Sequence, residues 1–197
     1  ASDPRQPFKV REAALARCLA EDSDWITLAS SMVSRKHENY VWRRRCVEFL
    51  RTEFEKDPVF EKGVYLFRIL HDPDPVISAA GLKHMIDLAA VEKSECKLDS
   101  IRIEQVKKMI VAIVNNEVSP SVLRSCALKG CRKLGLKETI GAVVRIAEND
   151  VFSEEDRLEA ISCLGAMRSK QGDEALKRIS AGSSAKLSSA AKTALKE

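Results

Sequence analysis

A small residue recurs six times along the chain, each time among apolar residues at helical spacing. The pattern is clearest in segments 9–19, 124–131 and 157–164, where an Arg is followed three residues later by a small residue and then by Leu or Ile. Alignment on the small residue gives one row: Ala14, Cys46, Gly81, Ala127, Ala160 and Ala191. The successive separations are 32, 35, 46, 33 and 31 residues. A period of this length predicts an array of helical repeats, because each repeat is one supersecondary unit.

Apolar residues flank the small residue on the same helical face. The position after it holds Leu15, Val47, Leu82, Leu128, Ile161 and Lys192, and the position four before it holds Val10, Trp42, Ile77, Leu123, Asp156 and Leu187. Positions four apart share one face of a helix, so each segment carries an apolar stripe that a neighbouring element must cover. We therefore predict that the six small residues are buried at equivalent positions. Asp156 and Lys192 break the pattern.

Five further segments are predicted as partner helices, at 25–33, 59–70, 101–114, 137–147 and 174–179. Pro, Asp, Asn and Ser between the segments suit helix starts. The prediction is an all-α fold, an α-solenoid of about five helix pairs in a single domain, 1–197. It has an N-terminal half repeat, 1–22, and repeats at about 23–56, 57–97, 98–135, 136–171 and 172–197. A polar insert at 91–100 explains the longest separation, and a four-helix bundle would not produce the recurring row.

Segment 72–89, DPDPVISAAGLKHMIDLA, resembles the second-helix signature of HEAT repeats, an Asp-Pro turn followed by Val, a basic residue and small residues. The basic residue is Arg11, Arg43, Arg124 and Arg157 in four repeats and is replaced by Ser78 and Ser188 in two. The proline of the family's first helix is missing, so the chain is most similar to the short repeats of phycobilisome-lyase-type proteins. The resemblance implies architecture alone, because family members bind proteins, nucleic acids or pigments and a few are enzymes.

Composition narrows the class of protein. The chain has 45% apolar and 31% charged residues, which is typical of a folded soluble protein. Its longest apolar run, 109–114, is far below the ~20 residues that cross a bilayer. We expect a cytoplasmic protein with no membrane contact. The six cysteines include no C-x-x-C pair and lie mostly at apolar helical positions, so we expect free thiols.

Few residues suggest chemistry. His37, His71 and His84 form no H-E-x-x-H motif, and no phosphate-binding glycine loop is present. His71 with Asp72 and Asp74 has a spacing that would suit either a metal or a helix-capping turn, and the turn is favoured. The sequence therefore predicts a protein that is not an enzyme, with no metal and no cofactor.

Basic residues cluster between positions 34 and 51, interleaved with Tyr40 and Trp42. Such a patch is typical of phosphate contact. The alternative interpretation is that Trp42 is an apolar residue of the helix and the arginines occupy its solvated face. Arg45 is unusual, since other repeats have Ala, Cys or Glu at its position. The patch comprises Arg35, Lys36, Arg43, Arg44 and Arg51.

The second helices of such an array line its concave surface, where the register places Arg44, Lys83, Lys129 and Arg132. A basic surface attracts an acidic partner and accelerates encounter. The first hypothesis is a scaffold that binds an acidic segment or helix of another protein. The alternatives are nucleic-acid binding through the basic patch, including a HEAT-like DNA glycosylase, and a lyase acting on a bound pigment.

Overall fold

The computed structural model describes residues 3–20, 25–35, 39–56, 67, 69–90 and 100–196. Within these ranges it contains ten α-helices and one 3-10 helix and no β-strand, so the all-α prediction is confirmed. None of the helices there is long and apolar enough to cross a membrane. The helices are α1 (Phe8–Ala20), α2 (Trp25–Ser34), α3 (Tyr40–Lys56), α4 (Pro75–Ala89), α5 (Ser100–Asn115), α6 (Ser121–Leu134), the 3-10 helix (Lys137–Thr139), α7 (Ile140–Glu148), α8 (Glu154–Met167), α9 (Lys170–Ser180) and α10 (Ala185–Ala194).

The chain divides into two compact units, Ala1–Met85 and Ile86–Glu197. In the first unit, α2 packs against α3, and α1 packs against α2. Among the side chains described in this unit, Trp42 is the largest that is fully buried, and the Arg11 guanidinium lies 4.3 Å from its ring centroid. The core around it is aliphatic and includes Leu15, Val47, Leu50, Ile77 and Leu82.

In the second unit, three pairs of consecutive helices pack against each other: α5 with α6, α7 with α8, and α9 with α10. The second helices pack side by side, α6 on α8 and α8 on α10, and the first helices follow in the same order. Gly135 ends α6 in the left-handed conformation, at φ 62°, and its N–H bonds to the Cys131 carbonyl. Glycine is favoured at this position after a helix, because it has no Cβ to clash in the left-handed conformation.

The row of small residues is buried at five of its six positions, as predicted. A Cβ added to Gly81 would lie 2.7 Å from Ile69 Cγ2, so the row does mark a close approach. The prediction is wrong for Ala14, which is half-buried, and for the stripe residue Val10, which is 51% exposed. Both lie on α1, and no helix precedes α1 in the described chain to cover them.

Helix starts differ from the sequence prediction in two places. Segment 137–147 begins with the 3-10 turn, and its α-helix starts only at Ile140. Helix α9 starts at Lys170 instead of 174, because Ser169 caps it by accepting a hydrogen bond from the Gly172 N–H. Its polar first turn carries no apolar signal. Most of the predicted helix 59–70 and of the insert 91–100 lies outside the described residues.

Candidate functional site

The basic or hydroxyl side chain three residues before the small residue has a structural role. Arg43 Nε donates to the Val33 carbonyl at 2.7 Å, at the end of the preceding helix. Arg157 Nε donates in the same way to Ala147, at 3.2 Å. These side chains satisfy carbonyl groups that a helix end leaves without an internal partner. The sequence alone suggests that these arginines are surface charges. Their role at the helix ends is visible only in the structure.

Serine performs the same task where it replaces arginine. Ser78 Oγ donates to the Leu70 carbonyl and Ser188 Oγ to the Ser180 carbonyl, each at 2.6 Å. The serine acceptors lie eight residues back in the chain, whereas those of Arg43 and Arg157 lie ten residues back. A shorter turn therefore brings the carbonyl within reach of the shorter side chain.

Arg43 also forms a buried ion pair, and this removes it from any surface patch. Its Nη2 lies 2.6 Å from Asp72 Oδ2, and its Nη1 lies 3.5 Å from Asp74 Oδ2. Asp74 also caps the next helix, since its Oδ1 accepts from the Val76 N–H, and Asp72 Oδ1 accepts from the Asp74 N–H within the turn. This geometry agrees with the capping interpretation of the turn. In the described part of the chain, no group of three or more His, Cys, Asp or Glu is placed to hold a metal.

The remaining members of the basic patch are dispersed. Arg44 is exposed, Arg35 is half-buried, and Lys36 lies outside the described residues. Arg51 Nη1 lies 3.5 Å from Glu48 Oε2. Arg45, which the sequence marks as unusual, pairs with Glu12 of α1. Carboxylates thus offset much of the charge that the linear sequence concentrates.

The four cations predicted for the concave surface are all exposed. Arg44 and Lys83 belong to the first unit, and Lys129 and Arg132 belong to the second. Lys129 and Arg132 lie one turn apart on α6 and share Glu159, at 3.8 and 3.9 Å. Arg132 also donates to Ser162 Oγ at 2.7 Å. These two cations therefore form one local cluster on the second unit.

Two buried thiols meet between α6 and α8. Cys163 donates a hydrogen bond to the Cys131 sulfur, and this bond together with burial raises the pKa of the Cys163 thiol. The same bond lowers the pKa of Cys131. Cys46, Cys126, Cys131 and Cys163 are free thiols, and the side chains of Cys18 and Cys96 lie outside the described set. Both thiols of the pair are fully buried, so they are structural residues and unreactive ones.

A cleft of about 370 Å³ lies between α1 and α3. The cleft was not predicted from the sequence, although the spacing of its residues on α3 is visible there. Three of its residues stand three, four and seven positions after Val41 on α3, which puts them on the same helical face as Val41. The cleft is lined by Phe8, Glu12, Val41, Trp42, Arg44, Arg45 and Glu48.

A second, wider cleft of about 730 Å³ lies in the second unit, beside the turns that follow α7 and α9. Its charged residues are largely committed to structure. Arg178 Nε lies 2.8 Å from Glu148 Oε1, and Arg157 holds the end of α7. This cleft presents little charge that a ligand would recognise.

No model of a known protein family matches the sequence, and no curated protein is significantly similar to it.

Proposed function

We propose that the protein is a cytoplasmic, non-enzymatic scaffold built as a HEAT-like α-solenoid, and that it binds an acidic segment or helix of another protein. The binding residues in this proposal are Arg44, Lys83, Lys129 and Arg132. The observation that carries the proposal is that basic residues of the aligned helices fall into two groups, one buried and one exposed. The register directs Arg43 and Arg124 inward, where carboxylates neutralise them, and leaves the four binding cations exposed.

The repeat architecture is supported by polar contacts at the repeat period. Lys186 pairs with Glu154, 32 residues away, and Arg178 with Glu148, 30 residues away. Lys133 Nζ lies 2.8 Å from Asp87 Oδ1, 46 residues away. That value equals the separation of Gly81 and Ala127, so the contact follows the longer repeat. Contacts between equivalent positions of successive repeats are what a one-dimensional stack produces.

A protein partner is favoured over nucleic acid by the arrangement of charge. Phosphate binding draws on many cations acting together, and affinity falls steeply with salt as a result. In the basic patch, Arg43 is buried and Arg51 faces Glu48. A surface with a few exposed cations among carboxylates is suited to a mixed protein interface.

The test is capture of partners from cell extract by the immobilised protein, with and without nuclease. The triple variant R44E/K83E/K129E reverses three exposed charges, and surface changes of this kind leave the fold intact. The matched control is R145E/K170E/K177E, three other exposed cations. We expect the first variant to capture at least tenfold less partner protein and the control to capture the same amount as the unchanged protein. The circular dichroism spectra of both variants should be unchanged. Capture that nuclease abolishes would contradict a protein partner, and equal capture by both variants would contradict the assigned surface.

A further inference from the structure

Helices α1 and α3 run in the same direction along the cleft between them. Phe8 stacks on Trp42, with ring centroids 6.1 Å apart and planes 12° apart. About one turn further along both helices, Glu12 pairs with Arg45. Two contacts that advance together along both helices define a groove with an apolar end and a charged end.

The apolar end is open to solvent. Phe8 is 42% exposed and Val41 is 46% exposed, on opposite walls, while Trp42 forms the buried floor. Tyr40, next to Val41, is 55% exposed. Single exposed apolar residues are ordinary, but several together beside a cleft mark a surface that another molecule covers.

The charged end is lined by two arginines and two glutamates, and both glutamates pair with cations other than Arg44. Glu12 is paired with Arg45, and Glu48 lies 3.5 Å from Arg51 and 3.4 Å from His84 Nε2. Arg44 is exposed and has no ion-pair partner among the residues that the structure describes. The groove therefore offers one cation whose charge is not offset.

We propose that this groove binds an acidic linear segment of another protein, with one large apolar side chain against Phe8 and Val41 and a carboxylate on Arg44. The inference rests on the proposed function and refines it by naming the segment's chemistry. A volume of about 370 Å³ accommodates one large side chain with adjoining backbone.

The spacing of the segment's two recognised residues follows from helix geometry. Val41 and Arg44 are three residues apart on α3, an axial rise of about 4.5 Å. An extended peptide advances about 3.3 Å per residue. The acidic residue should therefore stand one or two positions from the apolar residue. A phosphate backbone fits less well, because phosphate binding draws on many cations acting together and the groove offers, within the described chain, one cation that is not paired.

The test uses an array of capped nine-residue Gly-Ser peptides, each with a central Phe and an Asp at one of four distances on either side. Binding of the full chain is detected with a labelled antibody to its tag, and the best peptide is then titrated by fluorescence anisotropy. We expect the strongest binding at a distance of one or two. Replacing the peptide's Phe by Ala or its Asp by Lys should weaken binding at least tenfold.

Matched variants locate the site. R44E and the double variant F8A/V41S should each weaken binding of the best peptide at least tenfold. R145E and V151S, which change an exposed Arg and an exposed Val outside the groove, should leave it unchanged. If neither R44E nor F8A/V41S weakens binding, the inference is overturned. An array that shows no preference for peptides with both Phe and Asp overturns it as well. Stronger, Arg44-dependent binding of a twelve-nucleotide single-stranded DNA would also overturn it.

The two proposals fail separately. A silent peptide array, while capture from extract still depends on Lys83 and Lys129, overturns the groove and leaves the scaffold. Loss of dependence on Lys83 and Lys129, while the peptides bind through Arg44, contradicts the extended basic surface and supports the groove as the binding site.

Discussion

The guanidinium of Arg124 lies 2.7 Å from the carboxylate of Asp156, and both side chains are buried between α6 and α8. Asp156 also accepts a hydrogen bond from Ser121 Oγ at 3.0 Å. Arg124 donates in addition to the carbonyls of Glu117 and Ser119, and it lies 4.7 Å from the ring centroid of Phe152. The aspartate that interrupts the apolar row in the sequence is therefore the charge partner of an arginine on the neighbouring helix α6.

Removal of this carboxylate should destabilise the protein strongly. Asp156→Ala leaves the Arg124 charge buried without its partner, and such changes cost about 3–5 kcal/mol. Urea unfolding followed by circular dichroism measures the effect. The control is Glu148→Ala, which breaks the exposed pair with Arg178 and should barely move the midpoint. Equal shifts for the two variants would contradict the structural role given to the buried pair.

Gly165 marks the closest approach of α8 and α10. A Cβ built there would lie 2.8 Å from Ala194 Cβ and 3.1 Å from the Ala194 carbonyl oxygen. Gly165→Ala should cost about 1–3 kcal/mol, because backbone must move to admit the methyl group. A Cβ built at Gly141 on α7 would meet only Gln171 Nε2, in ordinary contact at 3.9 Å, so Gly141→Ala should be neutral or stabilise by up to about 1 kcal/mol. Thermal unfolding of both variants gives the comparison, and a harmless Gly165→Ala would argue against the helix packing.

The repeat order predicts a contrast between a central and a terminal position of one row. Leu128 is fully buried and Lys192 is exposed at the equivalent place. Leu128→Ala should cost about 2–5 kcal/mol through lost burial and the cavity left behind. Lys192→Ala should have little effect on the free energy of unfolding, as measured in urea. Similar losses would place the two residues in similar surroundings, against the alignment.

Thiol reactivity tests the environment of the cysteine pair. In the native protein, Cys163 should resist a thiol reagent, since its pKa is raised and its side chain is buried. Of the four cysteines whose side chains are described, the half-buried Cys126 should react first. In unfolded protein without reductant, titration should count all six thiols of the sequence. Fewer thiols in the unfolded count would reveal a disulfide, and rapid native labelling of Cys163 would contradict its burial.

The sequence predicts well which helical residues are buried, because the same apolar spacing is repeated in six segments. Burial of Trp42 and Leu128 follows from apolar spacing that any one segment shows weakly and six segments show together. Partners of polar residues are harder to predict. Arg43 and Arg44 are adjacent and identical in type, yet one is buried against Asp72 and the other is exposed. The difference depends on where the helix axis lies relative to its neighbour.

The groove between α1 and α3 could not be read from the sequence for a related reason. Phe8 and Val41 belong to different helices, and each is an ordinary apolar residue near a helix start. Only packing of the two helices leaves both exposed above Trp42. Arg44 is likewise exposed because of how the helices pack, which the sequence alone does not show.

The most direct measurement is the salt dependence of affinity between the protein and its captured partner, from about 50 to 200 mM salt. Phosphate contacts of six to ten cations would lower affinity by about 10³–10⁵-fold over this range. A protein interface with the few exposed cations named above should show a much shallower fall, because most of its binding energy comes from contacts that salt does not screen. A shallow slope that R44E/K83E/K129E reduces further is the predicted result. A steep fall of about 10³-fold or more would contradict the account and identify nucleic acid as the partner.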